Sequence, residues 1–88
     1  MNSTIEHKKM SKLEKIEKIK DAIEYNQKEY GYFQILGKDN ILVKGYMYSI
    51  FEHERKTYIF IYENSDRTYI IMPLKYIKYI APYFFKIE

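Results

Sequence analysis

The run from Thr57 to Glu63, TYIFIYE, is apolar on both sides. In an extended chain Tyr58, Phe60 and Tyr62 project one way, and Ile59 and Ile61 the other. A sheet holding such a strand has two faces to hide. It must curl into a barrel and take a cover, or meet other subunits. The chain has 88 residues, enough for one core and no second one. The sheet therefore has to find its cover within a single small domain or in a partner.

The cover is legible upstream. Ser11 and Glu14 stand at the spacing of a capping box, in which each side chain satisfies a free backbone N–H of the other. Leu13, Ile16, Ile19, Ala22, Ile23 and Tyr30 then recur at steps of three and four, which places them on one helical face. Glu14 with Lys18, and Glu24 with Lys28, have the favourable four-residue spacing on the other side. Gly31 is a suitable left-handed stop. These features predict an amphipathic helix over about 12–30, preceded by a polar tail over residues 1–10.

From Gly31 onward the pattern is β. Tyr32 to Leu36 is a short strand, and Gly37-Lys38-Asp39-Asn40 is a turn cluster. Ile41 to Phe51 is a long strand with Gly45 at a bend or bulge in its middle. Glu52 to Lys56 is a charged tip, and Thr57 to Glu63 a second long strand. Asn64 to Arg67 is a tight turn, and Thr68 to Met72 a third strand. Pro73 interrupts, and Lys75 to Ala81 reads as a short last strand. The expected fold is mostly β with one N-terminal helix. It is a small, strongly bent five-stranded barrel over about 32–83, capped by that helix, within one domain over 11–88.

Composition removes several functions. Hydrophobic residues at 47% and charged residues at 31% exclude a disordered chain. The absence of cysteine excludes disulfide scaffolds, thiolate catalysis and zinc–thiolate sites. Met1 to Met10 lacks the apolar segment of a signal peptide, and no run approaches the ~18 apolar residues of a membrane span. Both point to a cytoplasmic protein that does not enter a membrane. His7 and His53 have no third ligand at a matching spacing, and the carboxylates Glu52, Glu54, Glu63 and Asp66 lack apolar isolation. No cofactor site and no catalytic constellation emerges, so the expectation is a protein that is not an enzyme. A net charge of +3 permits nucleic-acid binding without demanding it.

The stretch YFQILGKDNILVKGYMYSI, residues 32–50, resembles the first hairpin of the Sm-like superfamily, and within it the Hfq-like proteins. It has a strand, a turn at Asp39-Asn40, then a hydrophobic-x-hydrophobic-x-Gly strand at Ile41, Val43 and Gly45. YIFIYEN (58–64) resembles the third strand of that family. IIMPLKYIKYIAP (70–82) resembles its second motif, with Pro73-Leu74-Lys75 where Hfq-like proteins carry Tyr-Lys-His. The resemblance implies a ring of six or seven identical subunits, closed by pairing the fourth strand of one on the fifth of the next. It also implies single-stranded RNA as partner. Tyr58 falls where the family stacks a uridine, Lys75 at the basic position of the second motif, and Lys44 at the residue before the strand glycine, on the opposite face.

Independently of the resemblance, Lys75-Tyr76-Ile77-Lys78-Tyr79 interleaves cations with aromatics. That pattern suits the phosphates and bases of a single strand. The RNA-binding set expected from sequence is Tyr58, Lys75, Lys44, Lys78 and Tyr76. Its rival is structural: Tyr76 and Tyr79 as core or interface residues and the lysines as a solvated edge. Lys38, Arg55, Lys56 and Arg67 divide in the same way between phosphate contacts and ordinary surface charge. A different class of function also stands. A small interaction module of viral or mobile-element type, binding a host protein, would account for the modest charge.

Overall fold

The computed structural model describes residues 10–63 and 68–87. The predicted turn at Asn64 to Arg67 and most of the tail lie outside them. The helix α1 spans Lys12–Tyr30. Ser11 Oγ accepts from the Glu14 amide (3.1 Å), and the Ser11 amide donates to Glu14 Oε1 (2.9 Å). Gly31, at φ 83°, ends the helix and donates to the Gln27 carbonyl. Only the middle of the predicted stripe is buried. Ile19, Ala22 and Ile23 are fully enclosed, whereas Leu13 and Tyr30 face outward.

Seven strands follow: β1 Phe33–Gly37, β2 Leu42–Gly45, β3 Met47–His53, β4 Lys56–Tyr62, β5 Tyr69–Pro73, β6 Ile77–Ala81 and β7 Phe85–Lys86. They form two antiparallel sheets, one in the order β2-β1-β6-β7 and the other β3-β4-β5. The long strand predicted from Ile41 to Phe51 is real but broken into β2 and β3. A side chain at Gly45 would place its Cβ 2.5 Å from Ile61 Cγ2 and 2.6 Å from Phe33 Cζ. The bend therefore exists because the chain crosses the ring of Phe33 with no room for a methyl group. Past it, the Tyr46 amide donates to the Tyr62 carbonyl and the ribbon enters the second sheet.

The expected closed five-stranded barrel does not form. Closure would need the sheet ends to meet, and they do not. A 3-10 turn, Leu74–Tyr76, separates β5 from β6. Beyond β6 the chain folds back as β7, which the sequence reading did not foresee. Tyr79 pairs with Lys86 and Ile80 with Phe85, and the Ile87 amide donates to the Lys78 carbonyl (2.7 Å). The outer edge of β6 is thus occupied by β7. A ring closed by pairing β5 on a neighbour's β6 would have to displace β7.

The charged tip is also tighter than expected. β3 and β4 continue to the pair His53 and Lys56, leaving Glu54 and Arg55 as a two-residue turn, both with positive φ. That backbone matches the twist of the flanking strands. The core lies between α1 and the concave sides of the two sheets. It joins Ile19 and Ile23 to Phe33, Ile35, Val43, Ile59, Ile61, Leu74, Ile77, Ile80 and Ile87. One polar side chain is buried with them. Asn26 Nδ2 donates to the carbonyls of Ala22 (2.9 Å) and Tyr83 (3.1 Å), and Asn26 Oδ1 accepts from the Tyr83 amide (2.7 Å). It pins the segment leading into β7 against the helix.

Candidate nucleic-acid interface

Pro73 is the last residue of β5, and its ring fixes φ at −62° where the chain leaves the strand. The single 3-10 turn that follows buries Leu74 in the core and leaves Lys75 and half-exposed Tyr76 outside. Tyr58 stands beside Pro73 in the β4–β5 register. These residues form one wall of a cleft of about 460 Å3. Lys12 and Lys15, one helical turn apart at the start of α1, supply a second wall. Arg55, Lys56 and Thr57, from the β3–β4 hairpin, supply the third. Five cations and two tyrosines thus share a lining that contains no carboxylate.

One of these cations, Lys12, is paired with Glu52. The Lys12 ammonium holds the Glu52 carboxyl below the ordinary carboxylate range. Thr57, across the ladder from Glu52, has a buried hydroxyl with no partner of good hydrogen-bond geometry. Chemically the lining suits an anion attached to something flat. Ammonium and guanidinium groups meet phosphate oxygens, and the tyrosine rings offer stacking surface.

Of the five residues expected from sequence, Tyr58, Lys75 and Tyr76 line the cleft, and Lys44 and Lys78 do not. Lys44 leaves β2 and rests 4.4 Å from the centre of the Tyr32 ring and 5.5 Å from that of Tyr46. Its charge is shared with the chain's own aromatics. Lys78 sits on β6, where its carbonyl holds Ile87. Sequence reasoning missed Lys12 and Lys15. Their three-residue spacing puts them on one helix face, but only the docking of α1 brings that face to the hairpin.

A second feature adjoins the cleft. The register aligns Phe51, Tyr58 and Pro73 in one row, Ser49, Phe60 and Ile71 in the next, and Met47, Tyr62 and Tyr69 in the third. All nine lie on the outer face of β3-β4-β5, opposite buried Ile59 and Ile61. None of the nine is charged, and the next row on this face is the pair His53 and Lys56 at the hairpin end. Phe51 stacks on Tyr58 and Phe60 on Tyr69, with ring centres 5.5 and 4.7 Å apart. Tyr58 belongs to both the face and the cleft. On the other side of Pro73 and Tyr76, an apolar groove of about 280 Å3 runs between β5 and the β1–β2 turn, past Ile41, Val43, Ile70 and Met72.

Among the described residues no group of three or more acidic or histidine side chains is placed to hold a metal. None of the described helices is long and apolar enough to cross a membrane. Comparison with protein-family models, with curated proteins and with solved structures gives no match to the chain.

Proposed function

We propose that the chain is a non-enzymatic, cytoplasmic module that binds single-stranded RNA, with phosphates in the basic cleft and bases on Tyr58, Tyr76 and the aromatic face beyond. The observation that carries this is the composition of the cleft lining: five cations and two tyrosines without a carboxylate. The Sm-like resemblance assigned the same role to Tyr58 and Lys75. The open aromatic face supports it as well, since bases stack on exposed rings of a sheet whatever their sequence.

Fluorescence anisotropy of a labelled A/U-rich single strand, titrated at several salt concentrations, tests the reading. Each phosphate neutralised contributes about −0.7 to the slope of log K against log salt for a single strand. Engagement of three to five cations therefore gives a slope of roughly −2 to −3.5. Lys75→Ala or Lys56→Ala flattens the slope by about 0.7. Tyr58→Ala weakens binding by ~1–3 kcal/mol and leaves the slope unchanged. Absence of binding at low salt refutes the proposal. The aromatic outer face favours a second reading, a module whose partner is a protein. That reading predicts a natural complex indifferent to salt.

A further inference from the structure

β5 is an outermost strand, with no strand paired on its free side among the described residues and a groove of about 280 Å3 between it and the β1–β2 turn, and its outward hydrogen-bonding groups can be identified. The Glu63 amide donates to the Thr68 carbonyl, 2.9 Å. That makes residues 63 and 68 a hydrogen-bonded antiparallel pair, and such pairs alternate along a ladder. Ile70 and Met72 therefore bond to β4, while the backbone groups of Tyr69, Ile71 and Pro73 point outward. Pro73, which has no N–H, occupies an outward position.

Natural sheets protect such an edge with charges, a bulge or a covering segment. β5 has no charged residue, and it exposes about half of the side chains of Tyr69 and Ile71. The other outermost strands among the described residues are β3 of the same sheet and β2 and β7 of the other, and each carries a charge, at Glu52, Lys44 and Lys86 respectively. β5 is thus the one outermost strand that no charge protects. Copies with a single adhesive edge cannot build a ring or a filament by pairing unlike edges. They can only pair that edge with itself, about a two-fold axis.

We infer that two copies join β5 to β5 in antiparallel fashion, with the axis at Ile71. In this register each Ile71 amide donates to the Ile71 carbonyl of the other copy. Each Tyr69 amide donates to the Pro73 carbonyl opposite it. All four outward N–H groups of the two strands are satisfied, and proline sits where no donor is needed. No like charges meet across the axis, because the strand has none. The pairing fuses the two three-stranded sheets into one of six strands. The two aromatic faces become continuous, with a basic cleft at either end. This inference does not depend on what the cleft binds.

The absence of native cysteine makes a direct test possible. Directly opposed residues of a hydrogen-bonded pair have Cα atoms about 5.5 Å apart, within disulfide range. Ile71→Cys is exposed and should fold. Under mild oxidation it should cross-link to itself, and light scattering on the unmodified chain at tens of micromolar should give twice the chain mass. Tyr69→Cys should not cross-link to itself, since its two copies lie roughly 13 Å apart at four residues' separation along the strands. Ile71→Lys should return the protein to a monomer with an unchanged circular dichroism spectrum. A monomeric unmodified chain at that concentration overturns the inference. So does a six- or seven-fold assembly, or equal cross-linking of Ile71→Cys and Tyr69→Cys.

Discussion

Replacing Asn26 by alanine tests whether one buried amide holds the C-terminal segment in place. The side chain is fully enclosed. Two of its three hydrogen bonds reach across 57 residues to the backbone of Tyr83, and only the third, to Ala22, stays within the helix. Asn26→Ala removes both long-range bonds, at ~0.5–1.5 kcal/mol each, and strands a partly buried N–H and C=O at Tyr83. Alanine returns about 0.5 kcal/mol as the better helix former. The expected net loss is about 2 kcal/mol, or roughly 8–16 °C in Tm for a chain of this size. Urea denaturation followed by circular dichroism measures the loss. Hydrogen exchange locates it, because the Ile87 amide, held by Lys78, should lose its protection before the β3-β4-β5 amides do. Asn26→Asp should be worse at neutral pH, since a second acceptor would face the carbonyls of Ala22 and Tyr83. Burial raises the pKa of such a carboxyl, so its defect should shrink as pH falls through that raised value and the group becomes a donor. A loss below about 0.5 kcal/mol for Asn26→Ala, within the range of ordinary surface substitutions, or an unchanged exchange rate at Ile87, would refute the reasoning.

Three further outcomes follow from the geometry. Gly45→Ala forces a Cβ into Ile61 and Phe33 and should cost ~1–3 kcal/mol. The penalty should be smaller in a Phe33→Leu background, and strict additivity in a double-mutant cycle would argue against the clash. Glu52, held low by Lys12, contributes stability that is present above the ordinary carboxylate range and lost as pH falls through its lowered folded pKa. Melts of Glu52→Gln across acidic pH should lack that limb, and the variant, which frees Lys12, should bind inorganic phosphate or RNA more tightly at neutral pH. Glu54 adopts φ 51° without being glycine; Glu54→Asn should relieve about 0.5–1 kcal/mol of left-handed strain, read as a rise in Tm.

The parts legible in the sequence were those fixed by neighbours. Ser11, Glu14 and Gly31 bound the helix because caps act over three or four residues, and the alternation around Ile59 set the faces of β4. What the sequence hid was contact at long range. Nothing local distinguishes Asn26 from an exposed helix residue, since its partner is 57 positions away. β7 is two residues long, too short for any periodicity. The open barrel follows from that segment, because PYFFKI gives no local sign that it will occupy the edge of β6. The site divides the same way. Tyr58, Lys75 and Tyr76 meet because Tyr58 stands beside Pro73 in the register and one 3-10 turn directly after that proline carries Lys75 and Tyr76. Lys44 drew attention as a cation beside a strand glycine, but its surroundings are Tyr32 and Tyr46, which only the β1–β2 register and the bend at Gly45 bring around it.

The order in which the chain can assemble follows from the strand connections. β3, β4 and β5 are successive neighbours and can zip up by short-range closure. The other layer begins with β1 but cannot be finished until β6 arrives, and the Gln34 to Ala81 pairing spans most of the domain. During synthesis the early meander must therefore wait, oily on both sides, for β6 to leave the ribosome. Such a waiting species is the state in which nascent copies are most exposed to aggregation or to capture by a chaperone.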